Sequence, residues 1–135
     1  MRYFVVDAFA DKLFQGNPPG CAWRTGRLSE LMQRIASENN LSETAFLARR
    51  DDGGYDLRWF TPLEEIDLCG HATLGSSFVV FNELEPDRQS VAFHTRSGVL
   101  RVERRGELLE MAFPVRRPER VPLDPLHRCS SKRLG

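Results

Sequence analysis

The sequence carries no net charge, its 19 lysine and arginine residues being matched by 19 aspartate and glutamate residues. A chain without a global field has no general attraction for nucleic acid, an anionic membrane surface or a polyanion, so recognition must be local. It also lacks a long apolar run. The opening stretch Met1–Phe14 joins Arg2 to a short apolar segment, but Asp7 and Asp11 interrupt it before it reaches the length of a signal-peptide core or a membrane span. A soluble, cytoplasmic protein with no membrane or nucleic-acid partner is expected. Cysteine is scarce: Cys21, Cys69 and Cys129 are odd in number and irregular in spacing, which fits reduced thiols and not a disulfide framework. No repeat or low-complexity segment is present. Neither nucleotide fingerprint is met, because Gly70-His71-Ala72-Thr73-Leu74-Gly75 has glycines but no Gly-Lys-Ser/Thr and no G-x-G-x-x-G.

What remains is a chain of 135 residues, 41% hydrophobic and with nine phenylalanines, enough for one modest core. The segment from Arg2 to Phe9 is rich in β-forming and aromatic residues, and Gly16-Asn17-Pro18-Pro19-Gly20 is dense turn chemistry with Asn17 at its tip. A second strand follows around Cys21 to Trp23. From Leu28 the spacing becomes helical, with Leu28, Leu31, Met32 and Ile35 on one face, Ser29 as N-cap and Asn39-Asn40 as stop. Strands are expected over 44–48 and 55–60 around the turn Asp51-Asp52-Gly53-Gly54, and Thr61-Pro62 ends the second of them. The ten residues 72–81 contain no charge and mix small with large apolar side chains all round, which predicts a central helix enclosed on every side, with a buried strand as the weaker alternative. An antiparallel meander is expected over 90–94, 99–103 and 108–113, its turns at Ser97-Gly98 and Arg105-Gly106. Beyond Pro114 the prolines and the polar tail show no periodicity, so 119–135 is expected to be an irregular tail or a truncated linker.

Few residues offer chemistry. Glu43 lies where a helix-to-strand loop enters the sheet, between Ser42 and Thr44 and before apolar Ala45-Phe46-Leu47. A partly desolvated carboxylate there can take and return a carbon-bound proton; position alone fits equally a solvated strand-entry residue or a backbone cap. His71 follows Gly70 at the start of the central helix, where unpaired N–H groups favour anions and a glycine lets a ligand approach the backbone. There it either contacts a small carboxylate and shuttles a proton, or caps the helix. Cys69 at the same helix start reads as a thiol near the dipole or as inert core. No metal site is expected from Cys69, His71, His94, His127 and Cys129, since Cys-x-His is not a zinc spacing.

Five ordered blocks carry a resemblance: Val6-Asp7-Ala8-Phe9, Phe14-x-Gly16-Asn17-Pro18, Ala36 through Phe46 with Ser42-Glu43-Thr44 inside it, Leu57-Arg58-Trp59-Phe60-Thr61-Pro62, and Asp67-Leu68-Cys69-Gly70-His71-Ala72-Thr73. Together they resemble the PhzF-like family of phenazine-biosynthesis-type isomerases over residues 1–118. The resemblance implies an α+β fold of the diaminopimelate epimerase type, in which each of two similar halves wraps a mixed, mostly antiparallel sheet around a central helix; this chain corresponds to the N-terminal half. It implies Glu43 as general acid and base, His71 as a substrate-contacting or proton-relaying residue, and Asn17, Asp67, Cys69 and Gly70 as substrate-binding positions. It further implies an isomerisation that moves a proton on a small carboxylated, dihydroaromatic-type substrate with no cofactor. Cys69 matches a position where the epimerases place a catalytic thiol, but they pair it with a second thiol that has no counterpart here. Full family members are about twice this length, so the half-length chain is expected to be weakly active or inactive. The alternative is a non-catalytic remnant that binds protein or self-associates as a homodimer through the surface of the missing half.

Overall fold

The computed structural model describes residues 1–12, 14–23 and 29–114. The expected tail 119–135, with His127 and Cys129, lies outside the described residues, as does Leu28. Among the described residues, eight strands, β1 (Arg2–Val5), β2 (Gly20–Trp23), β3 (Thr44–Arg49), β4 (Tyr55–Phe60), β5 (Glu65–Ile66), β6 (Ser90–Thr95), β7 (Gly98–Arg105) and β8 (Leu108–Ala112), form one sheet with two helices, α1 (Ser29–Asn39) and α2 (Gly70–Val79). A single π-helical turn, Val80–Leu84, continues α2. No helix among the described residues is long and apolar enough to cross a membrane.

The strand order is β1-β2-β3-β4-β6-β7-β8, with β5 also on β4. Pairing is antiparallel except for β2 on β3 and β4 on β6. One edge of β4 is shared: Tyr55 and Asp56 pair with β6, while Trp59 and Phe60 pair with β5. The sheet curls until β2, β3 and β8, from its two ends, all contact α2. Period-two alternation sends Ala45 and Leu47 of β3, and Tyr55, Leu57 and Trp59 of β4, into the α2 core with Val79, Phe81, Phe93 and Val102. The opposite face carries a smaller cluster, in which Ala22, Phe46 and Phe60 meet Met32 and Ala36 of α1. Phe46 and Phe60 pack edge to face at 5.5 Å there, the arrangement that ring quadrupoles prefer.

Most expected elements stand where the sequence puts them, with three departures. The first strand ends at Val5, four residues early; beyond it Ala8 returns to β pairing, opposite Asn17, and Phe9 adopts a positive φ of 59°. Leu31 is 43% exposed and the buried face of α1 runs through Met32 and Ala36. The central helix begins two residues early, at Gly70, and is not enclosed on every side, since Phe78 is 48% exposed. The meander forms as expected, and its turns use Gly98 (φ 101°) and Gly106 (φ 64°) in the left-handed region that glycine enters without a Cβ penalty. The inside of α2 is polar as well as small: Thr73, Ser76 and Ser77 are fully buried and each donates its hydroxyl to the carbonyl four residues back. Such back-bonding satisfies hydroxyls that would otherwise be costly to bury.

Candidate active site

Three segments converge at the N-terminus of α2. Asn40, at φ 50°, ends α1, and the chain turns through Leu41 and Ser42 to place Glu43 immediately before β3. The Glu43 carbonyl accepts a hydrogen bond from the Gly20 N–H at 3.0 Å, so its backbone is fixed by the parallel β2–β3 pairing. The turn holding Asn17 is tied down by reciprocal backbone bonds between Ala8 and Asn17 and by the Gly16 N–H donating to the Asp7 carboxylate. The third segment is Leu68-Cys69-Gly70-His71, where Cys69 takes an extended conformation (φ −147°, ψ 114°) and α2 starts.

The side chains meet at close range. Nε2 of His71 lies 2.9 Å from Oε2 of Glu43, both side chains being largely buried. The two atoms are within ion-pair distance but lack the alignment of a hydrogen bond, and Oε2 has no hydrogen-bond partner among the described residues. Nδ1 of His71 lies 3.4 Å from Sγ of Cys69. Ser42 bridges the segments, its Oγ 3.5 Å from His71 Nε2 and donating to Asn17 Oδ1 at 3.4 Å. Burial pushes the Cys69 thiol up to about 11; the nearby N–H of Ala72 and of His71 pull against this and the Glu43 charge adds to it. Neither N–H completes a capping bond. Cys69 is therefore a neutral thiol at pH 7. Cys21, fully buried beneath α2, is pushed up to about 12 by burial and bonds Ser76, so it belongs to the core.

Of the residues singled out from sequence, Glu43, His71 and Cys69 come together, Gly70 opens the helix beside them, and Asn17 joins through Ser42, which sequence reasoning passed over. A Cβ added at Gly70 would meet only the Phe113 ring, at 3.6 Å, and Met111, so packing alone does not demand glycine there. Asp67 is not brought into this group: its side chain is 63% exposed and faces Arg96 at 3.8 Å, and its carbonyl accepts from Ser97. Among the described residues, the donors that could hold a metal are a carboxylate oxygen of Glu43, Sγ of Cys69 and one His71 nitrogen, all within 4.8 Å of one another. His94 is elsewhere, 3.7 Å from Asp52. A separate cleft of about 360 Å³ lies over the α1 face, lined by Met32, Phe46 and Arg58 among others. Its Arg50 is paired with Asp52 and Asp56 and its Arg58 with Glu65. Its other lining groups include His94, which faces Asp52, and Asp56, which pairs with Arg50.

A carboxylate and an imidazole at 2.9 Å, beside three backbone N–H groups at a helix start, can exchange a proton with a carbon acid while the helix end holds the substrate's anionic group. Comparison with known proteins identifies relatives of the chain. The sequence profile of the phenazine biosynthesis-like protein family, PhzC-PhzF, matches residues 6–131. A protein of Pseudomonas aeruginosa named as an uncharacterized isomerase is 54% identical over 123 residues, covering 88% of this chain and 46% of its own length. The crystal structure of a phenazine biosynthesis PhzC/PhzF protein from Clostridium difficile superposes with a TM-score of 0.79 at 51% identity, over 91% of this chain and 48% of that one. A predicted epimerase of Pseudomonas aeruginosa superposes with a TM-score of 0.68 at 27% identity, over 80% of this chain and 40% of that one. The α+β fold is thus of the epimerase type, and the chain spans about half the length of the relatives it matches.

Proposed function

The chain belongs to the phenazine biosynthesis-like protein family, and from that premise we propose that it carries one wall of an isomerase active site in which Glu43 is the general acid and base. The observation that carries the reading is the 2.9 Å approach of Glu43 Oε2 to His71 Nε2 at the open end of α2. Glu43 removes a proton from an activated carbon of a small carboxylated substrate of the dihydroaromatic type and returns it at another carbon, without a cofactor. His71 contacts the substrate and relays the proton; the Gly70 and His71 N–H groups at the helix end receive the carboxylate. Asn17 orients the polar edge of the substrate from across Ser42.

Proton abstraction from carbon needs both a placed base and a site that excludes water. The relatives are about twice as long, which supports an opposite wall supplied by a second half, and a low rate for this half alone. Deuterium incorporation from heavy water into a dihydroaromatic carboxylate tests the reading. Slow incorporation by the chain, abolished in Glu43→Gln, is expected; incorporation equal in both sinks the assignment. The alternative, a non-catalytic binding or self-associating domain, is favoured by the exposure of Phe9 and Phe78. Concentration-dependent dimerisation by light scattering with no exchange activity at any concentration would establish that alternative instead.

A further inference from the structure

The loop entering β3 and the start of α2 bring three unlike donors together: a carboxylate oxygen of Glu43, Sγ of Cys69 and a ring nitrogen of His71. Sulfur and nitrogen ligands at ordinary zinc distances, set at the tetrahedral angle, stand about 3.5 Å apart, and nitrogen and oxygen ligands about 3.3 Å apart. Here Sγ is 3.4 Å from His71 Nδ1 and Glu43 Oε2 is 2.9 Å from Nε2. One ring gives one nitrogen to one ion, and as the side chains stand one His71 nitrogen already lies within 4.8 Å of both other donors.

Two further observations point to a cation. Oε2 of Glu43 is buried and lacks an aligned donor among the described residues, which is the environment a positive ion completes. The donor set itself is selective: a thiolate, an imidazole and a carboxylate suit zinc, whereas magnesium and calcium take oxygen ligands. Three protein ligands leave the fourth tetrahedral position to water.

We propose that a zinc ion binds Glu43, Cys69 and His71 and reversibly blocks the proton-transfer site by occupying its carboxylate. The block rests on the reading of Glu43 as acid and base; the binding stands on the donor geometry alone. On binding, the Cys69 thiol proton leaves to solvent and an S–Zn bond takes its place, with no change of oxidation state.

The test uses the 135-residue chain, stripped with chelator and kept reduced, titrated with zinc against a chromophoric chelator in the absence of substrate. One zinc per chain is expected, with affinity falling roughly tenfold or more in Cys69→Ser and in His71→Gln, and unchanged in His94→Gln. Cobalt(II) added to the unaltered chain gives a thiolate-to-metal charge-transfer band, a readout that does not depend on any variant folding. Absence of that band, or zinc binding indifferent to Cys69→Ser, overturns the site. One equivalent of zinc is expected to stop deuterium exchange and chelator to restore it; bound zinc with undiminished exchange overturns the block. Exchange that is absent even in chelator counts against the isomerase reading and not against the zinc site, which the cobalt band judges separately.

Discussion

Replacing Glu43 by glutamine separates catalysis from architecture, because the change keeps the shape of the side chain and removes only its charge and basicity. The backbone at this position is held by the Gly20 N–H on the Glu43 carbonyl, which the substitution does not touch. The side chain is 19% exposed, and its inner oxygen makes no aligned hydrogen bond. A hydrogen bond to a charged group contributes about 1.5–3 kcal/mol, so a structural carboxylate would lose that much on amidation. A carboxylate whose inner oxygen lacks such a bond has little to lose. The expected change in unfolding free energy is within about 1 kcal/mol of zero, a shift of at most about 5 °C in Tm for a chain of this size.

Catalysis should respond very differently. A positioned general base contributes about 10²–10⁴ in rate, or about 3–5 kcal/mol of barrier at 1.36 kcal/mol per decade. The assay is deuterium incorporation followed by proton NMR, at chain concentrations near that of the substrate so that slow exchange is measurable, beside urea unfolding of both proteins. Exchange reduced at least a hundredfold with stability unchanged is the expected result. Stability reduced by more than about 2 kcal/mol would show that the carboxylate holds the loop, and exchange within threefold of the parent would refute the role of Glu43 outright.

Three further outcomes follow from the packing. Gly75→Ala puts a Cβ 2.9 Å from Cγ of Pro19, a ring atom with little freedom to move; urea unfolding should show a net loss of about 1–2 kcal/mol despite the helix propensity gained. Phe93→Ala empties a fully buried position beside Tyr55 and should cost about 3–5 kcal/mol, read in the same experiment. The Arg58 guanidinium grips Glu65 through two contacts of 2.7 Å and holds that carboxyl below its usual range, burial opposing. A depressed folded pKa gives stability that is present above the unfolded value, about 4.3, and lost as pH falls through the folded one. The stability gap between parent and Arg58→Met, about 1–3 kcal/mol at pH 7, should therefore narrow below about pH 4; a gap constant from pH 7 to pH 2 would refute this.

Local chemistry made most elements legible. The Asp51–Gly54 and Ser97-Gly98 turns, the stop at Asn40 and the period-two strands are encoded within a few residues of where they act. What escaped needs partners distant in sequence. β5 is two residues, Glu65 and Ile66, that are strand only because Phe60 and Trp59 pair with them. Phe9 belongs to a β-rich run, yet the turn that returns the chain to Asn17 forces it to positive φ. The exposure of Leu31 depends on how far the α1 axis is rotated against β3 and β4, which one apolar position more or less cannot specify. In the site, Glu43 and His71 stood out through the sequence blocks that resemble the family, since their places at element boundaries alone fitted a solvated residue or a helix cap equally. Their meeting with Cys69, and the Ser42 bridge to Asn17, depend on the parallel β2–β3 pairing, for which the sequence holds no local signal. Asp67 shares a sequence block with His71 but turns toward Arg96 on the β6–β7 hairpin, since a run entering a helix points successive side chains in different directions.

Burial decides what Cys69 can do in this corner. A thiol starts with an ordinary value near 8.5, and desolvation, reinforced by the Glu43 charge, carries Cys69 to about 11. At neutral pH Cys69 is therefore held as the thiol, which is a poor base. On the proposed reading of Glu43, this wall therefore presents one working base. Inversion at a carbon needs a base on one face and an acid on the other, whereas a proton shift along one face needs a single group that gives back what it takes. With Cys69 neutral and Glu43 beside His71, the corner is suited to the shift, and a second acid or base on the opposite wall would be required before the same fold could epimerise.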